Sequence, residues 1–193
     1  MNEYFQTTNK NIYSCGDCTG TPFKFTHSAD FQARMAVRNM FLGPSHRSSD
    51  LLIPWCSYTD PEIAHVGKYE KELLENGIAH EVFMKPLKDV DRCMCEGVTD
   101  GFVKVIVRAS TCEIVGATIC GPRAGDMISE MTVCIQNGLK VQDLSGTIHP
   151  YPTTQEATRL ACLGFNKYFK SKDGVPMRAL RMRMDKIEKE EEK

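Results

Sequence analysis

Residues 101–138 read GFVKVIVRASTCEIVGATICGPRAGDMISEMTVCIQNG, and the fold turns on this stretch. In GFVKVIVRA (101–109), Phe, Lys and Ile alternate with Val, the two-residue period of a strand whose faces differ. EIVGATICG (113–121) follows after a polar turn at Ser110-Thr111 and has strand character again. Two adjacent strands joined by a short turn form a hairpin, so the sheet is at least partly antiparallel. AGDMISEMTVCIQNG (124–138) then reads as an amphipathic helix, with Met127, Ile128, Met131, Val133 and Ile135, and stops at Asn137-Gly138. Strands grouped together and helices kept to themselves point to an α+β domain, a partly antiparallel sheet packed with helices.

The elements on either side fit this reading. AHEVFMKPL is a strand by its β-branched and aromatic content, and LLIPWCSYTD is strand-like. EIAHVG leads to a charged helix, KYEKELLENG, closed by Gly77. Another helix is expected from about Thr153 to Lys170, followed by a basic and then acidic tail over 171–193, read as frayed or disordered. Towards the N-terminus, NIYSCGD (11–17) is a short β-rich run ending in Gly-Asp. THSADFQARMAVRNMFLG (26–43) reads as an amphipathic helix carrying Phe31, Met35, Val37 and Met40, stopped at Gly43-Pro44. GPSHRSSD (43–50) is the linker candidate.

Composition narrows the function classes. The chain has 193 residues, 41% hydrophobic and 25% charged, which is ordinary for a soluble globular protein of one domain, or one domain plus a piece of another. A net charge of −1 argues against nucleic-acid or anionic-membrane partners, which favour a basic surface. No apolar run approaches the ~18–20 residues of a membrane span. The first twenty residues are polar and lack the core of a secretory signal, so a cytoplasmic location is expected. The nine cysteines are odd in number and several lie in apolar runs, the pattern of reduced, buried thiols. No zinc-like spacing of four ligands occurs, and no metal site is expected.

Two motifs carry chemistry. In IYSCGDC, Gly16 allows the chain to turn close to a ligand, and Asp17 presents a carboxylate able to accept hydrogen bonds from sugar or ribityl hydroxyls; a turn or cap role would use the same residues. Cys15 and Cys18 form a CxxC, a spacing used in disulfide exchange, wrapped around that Gly-Asp. In GTIHPYPTTQEA (146–157), His149, Tyr151 and Glu156 sit within eight residues, spaced by two prolines. Thr153 with Glu156 three residues on also matches a helix entry.

Three segments in this order, TTNKNIYSCGDCTG, YTDPEIAHVG and GATICGPRAGDMISEMTVCIQNGLKVQDLSGTIHPYPTTQEA, resemble the C-terminal part of the pyridine nucleotide-disulfide oxidoreductases. The similarity spans roughly residues 4–168, nearest the mercuric reductase-like and dihydrolipoamide dehydrogenase-like branch. The resemblance implies a remnant of the FAD-binding domain over 1–46 and an interface domain over 51–170 that builds a homodimer. It implies flavin contacts from Gly16 and Asp17 and from the backbone at Thr26 and His27, where the helix N-terminus offers N–H groups and positive partial charge.

In the family's disulfide reductases a His before Pro-Thr serves the partner subunit's redox thiols as acid and base, oriented by a downstream Glu. Here Tyr151 stands at the acid-base position and Glu156 matches the carboxylate, with His149 as the other proton-transfer candidate. A phenol, with its ordinary pKa near ~10, is a poor base at neutral pH. The chain contains neither a GxGxxG nor the CxxxxC redox spacing. The expectation is therefore a segment inactive alone, completed by N-terminal FAD and NAD(P)H domains in cis or in trans. The alternative is a non-catalytic dimerisation module, binding thiophilic metal through its cysteines.

Overall fold

The computed structural model describes the backbone of residues 1–173 and side chains as far as residue 165. The chain separates into two compact units, Met1–Ile53 and Pro54–Lys193. Apart from residues 171–173, which continue a helix, the expected charged tail lies outside the described residues.

The second unit is built on five strands: β1 (Trp55–Ser57), β2 (Glu62–Gly67), β3 (His80–Pro86), β4 (Phe102–Arg108) and β5 (Ile114–Gly121). Their order across the sheet is β1-β2-β5-β4-β3, and every neighbouring pair is antiparallel. The expected hairpin is β4–β5, with Val103 opposite Ile119 and Val105 opposite Ala117. Its connection is longer than a two-residue turn, since the Arg108 N–H donates to Glu113 O and Cys112 adopts a left-handed φ of 62°. EIAHVG is itself strand β2, and it leads, as expected, to a short charged helix at Glu70–Glu75. Gly67 and Gly116 face each other where β2 leaves the sheet. A Cβ on Gly116 would lie 2.0 Å from Lys68 O, so only glycine permits that approach.

Around the sheet run α2 (Glu70–Glu75), α3 (Asp91–Cys95), α4 (Ala124–Gln136), α5 (Val141–Gly146) and α6 (Glu156–Asp173). Register places Ala64, Val66, Val103, Val105, Ala117 and Ile119 on one sheet face, all fully buried. Phe83 joins them and meets Phe165 of α6 edge to face at 5.6 Å. In α4, Met127, Ile128 and Met131 belong to this core, while Val133 is exposed. The helix therefore points inward with most of the side chains that an interface would share. Its N-terminus is satisfied from YTDPEIAHVG, because the Gly125 N–H donates to Glu62 Oε2 at 3.0 Å.

The opposite sheet face carries His65, packed flat on Tyr69 at 3.8 Å between centroids. Thr118 Oγ1 lies 2.9 Å from its Nδ1, and Gly67 O 3.2 Å from its Nε2. Burial lowers the His65 pKa. Both nitrogens find partners while the ring is neutral, one donating to the carbonyl and the other accepting from the hydroxyl.

In the first unit, α1 (Thr26–Leu42) forms where expected, but its buried stripe is polar: Ser28, Gln32, Ala36 and Asn39. Phe31, Val37 and Met40 are exposed, which reverses the face that hydropathy selects. The reason is hydrogen bonding. Gln32 accepts from the Gly16 N–H and donates to Ser28, while Asn39 accepts from the Ser45 and His46 N–H groups and donates to Tyr4 O and His46 O. Bonds to both ends of each amide make burial affordable for these side chains. The expected strand at 11–17 reduces to a single bridge, Gln6 with Tyr13, followed by one 3₁₀ turn, Gly16–Cys18. A β-rich run needs a neighbouring ladder to become a strand, and within this unit only that bridge is offered.

Candidate functional site

The HPYPT segment is a lip whose base is buried and whose tip is exposed. The His149 side chain is 4% exposed; its Nε2 donates to Glu130 Oε1 at 2.8 Å and its Nδ1 lies 3.1 Å from Thr147 O. Both partners are acceptors, so each ring nitrogen carries a hydrogen when both contacts are made. The other Glu130 oxygen takes Gln155 Nε2 at 2.6 Å and Thr158 Oγ1 at 2.5 Å. One carboxylate on α4 thus ties the lip to the start of α6.

Tyr151 points outward and is 68% exposed. Its hydroxyl donates to Asp91 Oδ2 of α3 at 2.7 Å. That hydrogen bond, together with the carboxylate's charge, raises the Tyr151 pKa, since both oppose the phenolate. The arrangement suits a hydrogen-bonding, contact-making phenol, not a base. Glu156 pairs with Arg159 at 2.7 Å. Thr153 donates to Pro150 O, and α6 begins only at Glu156, so the expected Thr153 cap is not formed. Each of the three sequence-derived residues therefore has a different partner: His149 with Glu130, Tyr151 with Asp91, Glu156 with Arg159. The sequence reading missed Glu130 and Asp91. For Glu130 a signal existed, because it is an acid beside the buried Met127, Met131 and Cys134 stripe of α4.

In the first unit, Gly16 is left-handed (φ 78°) and Asp17 is exposed, with its backbone carbonyl accepting from Lys24 Nζ at 2.6 Å. α1 starts after Phe25 without a side-chain cap. The His27 ring stacks on Phe25 at 5.3 Å. An exposed carboxylate and an uncapped helix start are the polar features a flavin's ribityl and phosphate groups would require. Among the described residues no cluster of three or more His, Cys, Asp or Glu could hold a metal ion, and no helix is long and apolar enough to cross a membrane. Burial raises the Cys162 thiol, and pushes Cys134 up to about 11, so these are packing residues.

The dimerisation domain of the pyridine nucleotide-disulphide oxidoreductases matches residues 53–162. The chain is 38% identical over 161 residues to a dihydrolipoyl dehydrogenase of Buchnera aphidicola, covering 83% of this chain and 33% of that protein. It is 37% identical over 167 residues to a mercuric reductase of Staphylococcus aureus, covering 86% and 30%. It therefore spans about a third of the length of these curated relatives. Among solved structures, LpdA of Mycobacterium tuberculosis superposes with a TM-score of 0.76 at 28% identity, covering 85% of this chain and 36% of that one. The HOCl-induced flavoprotein disulfide reductase RclA of Escherichia coli gives 0.76 at 26%, covering 84% and 37%. The ordered motifs, the antiparallel sheet and these matches converge: the chain belongs to the pyridine nucleotide-disulphide oxidoreductase family and carries its dimerisation domain.

Proposed function

We propose that the chain works as the C-terminal segment of an FAD-dependent NAD(P)H oxidoreductase, as a homodimer, with the lip of one protomer lining its partner's reaction centre. The observation that carries this reading is the construction of the lip. His149 and Glu130 fix it from beneath, while Tyr151 and the 95% exposed Ile148 face away from the domain's own core. Together Ile148 and Tyr151 give the lip an exposed, partly apolar tip, the kind of surface a partner can cover. Gly16, Asp17 and the backbone at Thr26 and His27 would hold the flavin. When assembled, flavin and NAD(P)H supply the electrons; this chain supplies binding contacts, orientation and a phenol at the substrate side. The apolar side chains of α1, Phe31, Val37, Met40 and Phe41, would pack in the same way against N-terminal FAD and NAD(P)H domains, present in cis or in trans.

The test is co-expression with a dihydrolipoyl dehydrogenase trimmed of its C-terminal third. The expected result is co-purification of the two chains with bound flavin. The isolated chain is expected to be colourless, since one carboxylate and one helix start offer too few contacts. Failure of the two chains to associate would sink the reading, and one flavin per isolated chain would overturn the division of labour.

A further inference from the structure

Cys15 and Cys18 lie outside the HPYPT lip, and both are exposed, whereas Cys93, Cys112, Cys134 and Cys162 are buried. Gly16–Cys18 forms one 3₁₀ turn with Cys15 as its N-cap. Cys15 is extended (φ −143°) and Gly16 left-handed (φ 78°), so Cys15 to Cys18 is a four-residue turn rather than regular helix. The ends of such a turn lie within about 7 Å between Cα atoms, close to the ~4.4–6.8 Å Cα window of a disulfide. The Cys18 thiol already leans back along the turn, donating to Cys15 O at 3.2 Å. From standard bond lengths this puts its sulfur within about 5.6 Å of the Cys15 Cα. The geometry points to Cys15 and Cys18 as a reversible dithiol that closes to a disulfide by exchange with a small-molecule disulfide.

The reaction balances. One cysteine thiolate attacks a sulfur of the reagent, giving a mixed disulfide and releasing one thiol; the second cysteine then attacks the protein sulfur and releases the other. One S–S bond and two S–H bonds are lost, and the same number are made. The chain is oxidised by two electrons and the reagent reduced by two. Closure replaces the Cys18-to-Cys15 carbonyl bond by a covalent one, and requires rotation of exposed side chains with no core to disturb. Ser14 Oγ, 3.3 Å from Cys18 Sγ, is the neighbouring hydroxyl. Gly16 and Asp17 lie inside the ring, so oxidation fixes the turn that presents the Asp17 carboxylate. The pairing uses only the first unit's own backbone and stands whether or not that carboxylate holds a flavin.

The experiment uses the full chain, reduced and then equilibrated with oxidised glutathione under nitrogen, quenched by alkylation and digested with trypsin. Cleavage after Lys10 and Lys24 isolates Cys15 and Cys18 from the other cysteines. The expected product is that peptide lighter by two hydrogens, unalkylated, and restored by dithiothreitol. C15S and C18S should each instead carry one glutathione on the remaining thiol. Two glutathiones on the wild-type peptide, full alkylation of both thiols while Cys95 is oxidised, or a bridge from either residue to Cys95 would overturn the assignment.

Discussion

Replacing Glu130 by Ala should loosen the lip without touching its tip. Glu130 holds His149, Gln155 and Thr158 through two oxygens. The Thr158 hydroxyl has a single proton and also lies 2.7 Å from Gln155 O, so two bonds, not three, count in full. Hydrogen bonds to a charged group contribute about 1.5–3 kcal/mol each; with the carboxylate partly in contact with water, the lower end applies, giving about 3 kcal/mol. For a unit of this size that corresponds to a fall in Tm of about 10 °C. Glu130→Gln should cost only about 1 kcal/mol. Its amide oxygen still accepts from Gln155 and Thr158, and its NH₂ donates to a neutral His149 that keeps its Nδ1–H on Thr147 O. Urea unfolding followed by circular dichroism measures all three proteins, and a cycle with His149→Ala isolates the pair. An E130A variant within about 0.5 kcal/mol of the parent, with no coupling to His149, would show that the lip is not anchored this way.

Two further outcomes follow from shifted groups. Asp91→Asn should lower the ionisation midpoint of Tyr151, because the hydrogen-bonding carboxylate that opposes the phenolate is removed; an ultraviolet titration against Y151F reads it, and an unchanged midpoint contradicts the contact. His65 has a lowered pKa in the folded chain, so below about pH 6.5 the unfolded chain binds the proton more readily. Stability should decline as pH falls from there towards the folded pKa, with a smaller slope in His65→Asn; identical slopes would remove His65 as the cause.

The sheet and α4 were legible because alternation in 101–121 and the Asn-Gly stop at 137–138 are local signals. β2 was harder to read, since Ala64, His65 and Val66 are buried consecutively and erase the alternation. α3 and α5 are single short turns with little periodicity to detect. α1 forms where expected but is turned over: its buried face is chosen by the amides of Gln32 and Asn39, whose partners lie in the loops before and after the helix. The site was legible in its residue types and not in its pairings. Glu130 reaches His149 across 19 residues and Asp91 reaches Tyr151 across 60, contacts that only the packed sheet creates.

Self-association tests the dimerisation reading most directly. Sedimentation equilibrium on the purified chain across a wide concentration range should give twice the chain mass, with Ile148→Asp and Tyr151→Asp shifting the protein towards monomer. A folded parent chain that remains monomeric at the highest soluble concentration would contradict the assignment of the lip to a partner's surface.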